Sequence, residues 1–151
     1  MATELRRLAA AGVIGTRTIG RSRLVRADTD SPYFEPLARL MLLSFGVPRV
    51  VADEFGGLAG VAEVLLFGSW AARYEGETGP QPHDVDVLVI GRPDRDEVYE
   101  AARRAQERVG REVNPTVRSA EEWERSEDGF LRTVRSSPVL QVWSTTRAGG
   151  S

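Results

Sequence analysis

The chain has 151 residues, 41% of them apolar and 28% charged, which predicts one ordinary globular domain with a small additional segment. Cysteine is absent, which excludes disulfides and thiolate metal sites, and all 20 basic residues are arginine, which excludes a catalytic lysine. No apolar run is long enough to span a bilayer, and no secretory signal is present at the N-terminus. We therefore expect a cytoplasmic protein with no membrane partner.

The charges are unevenly distributed along the chain. Residues 1–26 contain six arginines and one acid, a net charge of +5, whereas the remainder contains 14 arginines and 21 acids, a net charge of −7. A basic segment ahead of an acidic body predicts two parts with different partners.

The basic segment is predicted to be a helix followed by a hairpin. Residues "TELRRLAAAG" have a candidate N-cap in Thr3 and a stop in Gly12, and the next residues alternate around a turn at Gly20-Arg21. We expect a helix–hairpin segment in residues 1–30 and an apolar linker helix in 31–46. That helix is apolar around most of its surface, so it needs cover from the domain or from its copy in a homodimer.

From residue 47 to 151 the pattern predicts an α/β (α+β) domain, because short apolar strands alternate with amphipathic helices. The strands are predicted in "VAEVLLF", "DVDVLVIG", "REVNPTVRS" and "PVLQVWST". The clearest helix is "PDRDEVYEAARRAQERVG", and Ser119 and Glu122 have the spacing of a capping box at the start of a later helix.

Asp84 and Asp86 lie two residues apart in the apolar strand "DVDVLVIG". Side chains at this spacing project from the same face of a strand, so the two carboxylates repel each other and lose water together. A divalent cation such as Mg²⁺ would compensate both, since it binds carboxylate oxygens and substrate phosphates. The alternative is that both acids lie at a strand end and pair with arginine or water.

The preceding strand ends at Phe67-Gly68-Ser69, where a glycine turn and a hydroxyl could bind a phosphate group. A Gly-Ser after one apolar strand, a spacer, and Asp-x-Asp in a second strand resembles the signature of the polymerase-beta-type nucleotidyltransferases. Among these, the chain is most similar to the minimal nucleotidyltransferases. Its spacer of 14 residues between Ser69 and Asp84 is a few residues longer than usual, and "GETGPQP" would form the extra loop.

The resemblance implies a small mixed sheet flanked by helices and a role for each motif residue. Gly68 and Ser69 would contact the triphosphate, and Asp84 and Asp86 would hold Mg²⁺ or Mn²⁺. Arg73 would also bind phosphate, or else be an ordinary surface arginine. The implied reaction transfers a nucleoside monophosphate, most simply AMP from ATP, to a hydroxyl of a protein or small molecule. In some relatives the acceptor is a helical toxin, and the nucleotidyltransferase is its antitoxin.

The third strand departs from the family pattern. The superfamily usually has a third carboxylate there, but this chain has Asn114, which brings no charge and cannot act as a base. Glu112 is the alternative ligand, since it lies two residues earlier on the same face of a regular strand. If neither residue serves, the domain would bind nucleotide and turn over slowly or not at all.

The basic segment resembles the end of a winged helix with its two-stranded wing. That resemblance implies DNA binding through Arg17, Arg21 and Arg23, and the alternative function is a DNA-binding regulator with a weakly active or inactive nucleotidyltransferase-like domain. The other interpretation is an exposed or dimer-forming arm. His83, the only histidine, is interpreted as a loop residue, and Trp70 as a packing residue or a platform for a nucleotide base.

Overall fold

The computed structural model describes residues 2–148, which divide into two units between Ser44 and Phe45. The predicted linker helix in 31–46 falls mainly within the first unit. Among the described residues, no helix has both the length and the apolar character needed to cross a membrane.

The first unit is a helix, a hairpin and a second helix. Ile19 pairs with Ser22, so Gly20 and Arg21 form a two-residue turn, and Gly20 has a φ of +59° that suits glycine. The predicted helix, hairpin and turn are therefore all present. The elements are α1 (Ala2–Ala10), β1 (Ile14–Ile19), β2 (Ser22–Ala27) and α2 (Phe34–Phe45).

The hairpin distributes its arginines over both of its faces. Arg17 is paired with Leu24 and therefore projects from the face opposite to Arg23, which is paired with Thr18. No residue from 3 to 41 is buried, and Ile19 and Leu24 are 51% and 54% exposed. Residues 3–41 thus contribute no buried side chain to a core, and pairing with a second copy stays a prediction.

The second unit is built on a four-stranded sheet in the order β5-β4-β3-β6. β3 is antiparallel to β4 and β6, and β4 is parallel to β5, which makes the sheet mixed and confirms the predicted fold class. The strands are β3 (Val61–Phe67), β4 (Asp84–Gly91), β5 (Glu112–Arg118) and β6 (Leu140–Ser144). The helices are α3 (Val47–Phe55), α4 (Gly68–Tyr74), α5 (Arg95–Val109), α6 (Ala120–Arg125), α7 (Gly129–Ser136) and α8 (Thr145–Ala148), of which α8 begins at Thr145, the last residue of the predicted final strand.

The central strand β4 is covered on both faces. Val85, Val87 and Val89 are fully buried on one face of β4, and α3 and α5 contact the neighbouring strands β3 and β5. On the other face, Leu88 and Ile90 pack against an apolar cluster that includes Leu131 and Val134 of α7. Because Asp84 and Asp86 have the same parity as Leu88, they lie on the α7 side of the sheet, where both side chains are half-buried.

An ion-pair network joins α3 to α5. Glu54, whose side chain is 15% exposed, accepts hydrogen bonds from Arg104 at 2.7 Å and from Arg108 at 3.0 Å. Burial by itself would raise the pKa of Glu54, but the hydrogen bonds and positive charges of the two arginines outweigh it and lower the pKa below its usual 4.5.

Glu54→Gln is expected to lower the free energy of unfolding by about 1 kcal/mol at neutral pH. A carboxylate with a lowered folded-state pKa stabilises the protein above its unfolded-state pKa and loses this contribution as the pH falls through the folded-state pKa. The difference from wild type should therefore shrink below pH 4.5. Urea unfolding at neutral and acidic pH measures this difference, and an unchanged difference at both would contradict the assignment.

Candidate active site

Strand register brings the acidic pair beside the third strand. β4 and β5 align Asp84 with Glu112 and Asp86 with Asn114, so all four side chains project from one face of the sheet. Asp84, Asp86 and Asn114 are half-buried, and Glu112 is exposed. The two predicted carboxylates are thus neighbours at one end of the sheet, within reach of solvent.

The Gly68 turn lies directly against Asp86. β3 ends at Phe67, which is paired with Asp86, and the chain turns into α4 at Gly68 with a φ of +72°. A Cβ atom added to Gly68 would collide with the Asp86 carboxylate. Only glycine combines this backbone conformation with this close approach. Ser69 follows the turn and is exposed, so the predicted phosphate turn and the acidic pair meet in space.

The electrostatics of the pair fit a cation site. Burial raises the pKa of Asp86, the negative charge of Asp84 raises it further, and a hydrogen bond from Asn114 offsets part of the effect. Among the described side chains, no arginine forms an ion pair with Asp84 or Asp86. Within the described residues, the two carboxylates are therefore not neutralised by arginine. Their oxygen atoms are the hard donors that Mg²⁺ binds.

Asn114 contacts the pair directly. Its Nδ2 donates a hydrogen bond to Asp84 Oδ2 at 3.2 Å, so its amide oxygen is the atom left to bind a cation. Within residues 2–148, no group of three or more acidic, histidine or cysteine side chains is arranged to hold a metal ion. A cation here would have two carboxylates and one amide as its nearest protein donors. Which third-strand residue binds it stays a prediction.

Arg73 is engaged by the loop that follows α4. Its Nε donates to the carbonyl of Pro80 at 3.1 Å, and its Nη1 donates to the carbonyl of Glu77 at 2.9 Å. A Cβ atom added to Gly79 would collide with Arg73 Nη2. The structure thus gives Arg73 defined partners within the loop, and its predicted contact with phosphate stays a prediction.

Aromatic side chains pack on both sides of the turn. Trp70 is 7% exposed and stacks on Tyr74 at 5.6 Å, which supports packing over base stacking. Phe67 meets Phe130 edge to face at 5.6 Å, and the Arg118 guanidinium lies 5.3 Å from the Phe130 ring centroid. The sequence analysis did not predict these contacts of Phe67, Phe130 and Arg118. Phe67 lies two residues after Leu65 in the same strand, so the two side chains project from the same face. His83 is exposed in the loop, as predicted.

Several solved structures are similar to part of this chain at low sequence identity. A toxin–antitoxin complex with AMP-PNP is 17% identical, with a TM-score of 0.46 over 67% of this chain and 76% of that one. The tri-AMPylated Shewanella oneidensis HEPN toxin in complex with MNT antitoxin is 16% identical, with a TM-score of 0.42 over 73% and 76%. A nucleotidyltransferase structure from Sulfolobus solfataricus, described as putative, is 17% identical, with a TM-score of 0.42 over 74% and 88%.

A match to a protein-family model covers the site and the strands β3, β4 and β5. No curated protein matched the chain. The model of the nucleotidyltransferase domain matches residues 49–135, more than half of the chain, and this range contains the Gly68-Ser69 turn, both aspartates and Asn114. The chain therefore belongs to the nucleotidyltransferase domain family.

Proposed function

We propose that this protein is a Mg²⁺-dependent nucleotidyltransferase that moves AMP from ATP to a hydroxyl group of an acceptor. The observation that carries the proposal is the contact between the Gly68 turn and the Asp86 carboxylate, with Asp84 beside it. This contact supports a phosphate site and a cation site that share one nucleotide. Mn²⁺ has the same ligand preferences here and would substitute.

Each motif residue takes a role that its position allows. Asp84 and Asp86 hold the cation, and the Gly68-Ser69 turn binds the triphosphate through backbone N–H groups and the Ser69 hydroxyl. Bound Mg²⁺ supplies charge neutralisation and polarises the α-phosphate. The acceptor oxygen forms the new bond to the α-phosphorus as the bond to pyrophosphate breaks. The Asn114 amide cannot accept the hydroxyl proton, so the acceptors for that proton are water and the Glu112 carboxylate.

We propose a protein as the acceptor, in the manner of an antitoxin that modifies a helical toxin. The support is the resemblance of the Gly-Ser and Asp-x-Asp motifs to those of the minimal nucleotidyltransferases. A small-molecule hydroxyl is the other acceptor class, and the site residues suit both. Two incubations with α-³²P-labelled ATP separate the classes, one with the protein encoded beside this chain and one with hydroxyl-bearing small molecules.

Transfer of label from α-³²P-labelled ATP to an acceptor tests the reaction itself. We expect label to move to the acceptor only with Mg²⁺ or Mn²⁺, while γ-³²P-labelled ATP leaves no label on it, because the γ-phosphate departs in pyrophosphate. Label from the γ-position would indicate phosphate transfer and contradict the proposal. Mg-ATP should also raise the melting temperature, because a ligand that binds only the native state stabilises it.

Asn114→Asp is expected to increase the rate of label transfer by about tenfold or more, because it supplies a base and a third charged ligand. The same change should lower the melting temperature of the protein without metal, since a third carboxylate joins two that already repel. Asn114→Ser removes the amide without adding charge and serves as the control. A slower Asn114→Asp variant would show that the amide itself is required.

The alternative function, a DNA-binding regulator, depends on the basic first unit. Arg17 and Arg23 project from opposite faces of the hairpin, so DNA would contact both only if the hairpin entered a groove. The match to the nucleotidyltransferase domain family favours the enzyme. A gel shift that weakens steeply with salt, and that is lost on replacing Arg17, Arg21 and Arg23 together, would reverse this preference.

A further inference from the structure

The loop that joins the phosphate turn to the acidic strand is folded around one side chain. Arg73, in the last turn of α4, donates from Nε to the Pro80 carbonyl and from Nη1 to the Glu77 carbonyl. Gly79 has a φ of +153° and presents its Cα to Arg73 Nη2, where any side chain would collide. Three atoms of the guanidinium group are therefore in contact with the loop. A rigid planar fork suits this arrangement, whereas a lysine ammonium does not.

Asp84 depends on this loop more than Asp86 does. Asp86 is aligned with Phe67 on one side and with Asn114 on the other, so two strands fix its backbone. The β3–β4 pairing ends at Asp86, whereas Asp84 is aligned only with Glu112 of β5. Asp84 is the first residue of β4 and has no partner in β3. On the side that faces β3, its position is therefore set by the loop that precedes it.

The arginine contacts lie close to that point. Pro80 is four residues before Asp84. The loop between the Tyr74 end of α4 and Asp84 contains two glycines, and residues 75–81 are all exposed. Such a segment gains conformational entropy when its fixed contacts are removed. Holding the loop therefore limits the range of positions available to the Asp84 carboxylate.

We propose that Arg73 is a positioning residue that holds Asp84 at the metal site by fixing the loop, and that it does not contact the phosphates. This inference rests on the function proposed above. It assigns to Arg73 a role that depends on the shape of its guanidinium group, whereas a phosphate-binding role would depend mainly on its charge.

Three variants distinguish a role that depends on the shape of the Arg73 guanidinium group from one that depends on its charge. Arg73→Ala removes both, Arg73→Lys keeps the charge but loses the fork, and Gly79→Ala blocks the arginine contact while leaving Arg73 intact. We expect each to weaken the binding of Mg-ATP by roughly 10-fold to 100-fold, the range found when an outer partner of a metal ligand is lost. The effects of Arg73→Ala and Gly79→Ala should not add in the double variant, because both remove one interaction. Arg103→Ala is the control, since Arg103 pairs with Glu100 and Glu107 of its own helix.

Hydrogen exchange gives a readout that is independent of nucleotide. Without ligand, the Glu77 amide, which donates to the Ala72 carbonyl, and the amides at the start of β4 should exchange faster in Arg73→Ala, Arg73→Lys and Gly79→Ala than in wild type, with β3 unchanged. Normal Mg-ATP binding by Arg73→Lys, or by Gly79→Ala when Arg73→Ala binds poorly, would overturn the proposal in favour of a phosphate contact. Unchanged loop exchange in all three variants would also overturn it. A wild-type protein that does not bind Mg-ATP would instead refute the function on which the inference rests.

Discussion

Asp86→Asn is expected to abolish detectable label transfer, a loss of ~10³-fold or more, because the variant removes a charged ligand worth several kcal/mol in the transition state. The same change should raise the melting temperature of the protein without ligand. Burial and the charge of Asp84 both raise the pKa of Asp86, so the charged carboxylate destabilises the folded protein when no cation is bound. Asparagine has nearly the same shape and removes that cost.

Opposite effects on stability and activity distinguish a ligand-binding role from a structural one. Differential scanning fluorimetry with and without Mg-ATP measures both in one experiment. Wild type should gain stability with Mg-ATP, and Asp86→Asn should be more stable alone but gain nothing. Asp84→Asn should lose transfer in the same way. Retention of Mg-ATP stabilisation by both variants would show that the cation binds elsewhere.

Gly68→Ala is expected to weaken Mg-ATP binding and transfer by ~100-fold, because the new methyl group collides with the Asp86 carboxylate and displaces it. The variant should also lower the free energy of unfolding by about 2–4 kcal/mol, from the strain of a left-handed alanine together with the collision. Isothermal titration with Mg-ATP and urea unfolding measure the two effects separately.

Gly110→Ala provides a matched control for the backbone strain. Gly110 follows α5 with a φ of +70°, close to the +72° of Gly68, but nothing lies within 4 Å of the position that its Cβ would occupy. The Gly110→Ala variant should therefore lower the free energy of unfolding through backbone strain alone, by roughly 1–2 kcal/mol, and bind Mg-ATP normally. If Gly110→Ala and Gly68→Ala weaken binding equally, the loss comes from general destabilisation and the assigned contact is wrong.

Local sequence patterns determined the secondary structure of this protein. The alternation around Gly20-Arg21 gave the hairpin and its register, and the spacing of Ser119 and Glu122 gave the capping box, with bonds of 2.7 Å and 3.2 Å. The two-residue spacing of Asp84 and Asp86 placed both on one face of a strand. Each of these depends on the periodicity of neighbouring residues along the backbone, which the sequence displays directly.

Tertiary structure decided which distant groups meet. The motifs predict one shared nucleotide site, but they do not show that Gly68 touches Asp86, that Arg73 is held by the loop carbonyls, or that Asn114 turns its amide toward Asp84. These contacts depend on strand order, on the register between β4 and β5, and on the path of one loop. Strand order and register are set by the burial of apolar faces over the whole sheet, a property that no local stretch of residues contains.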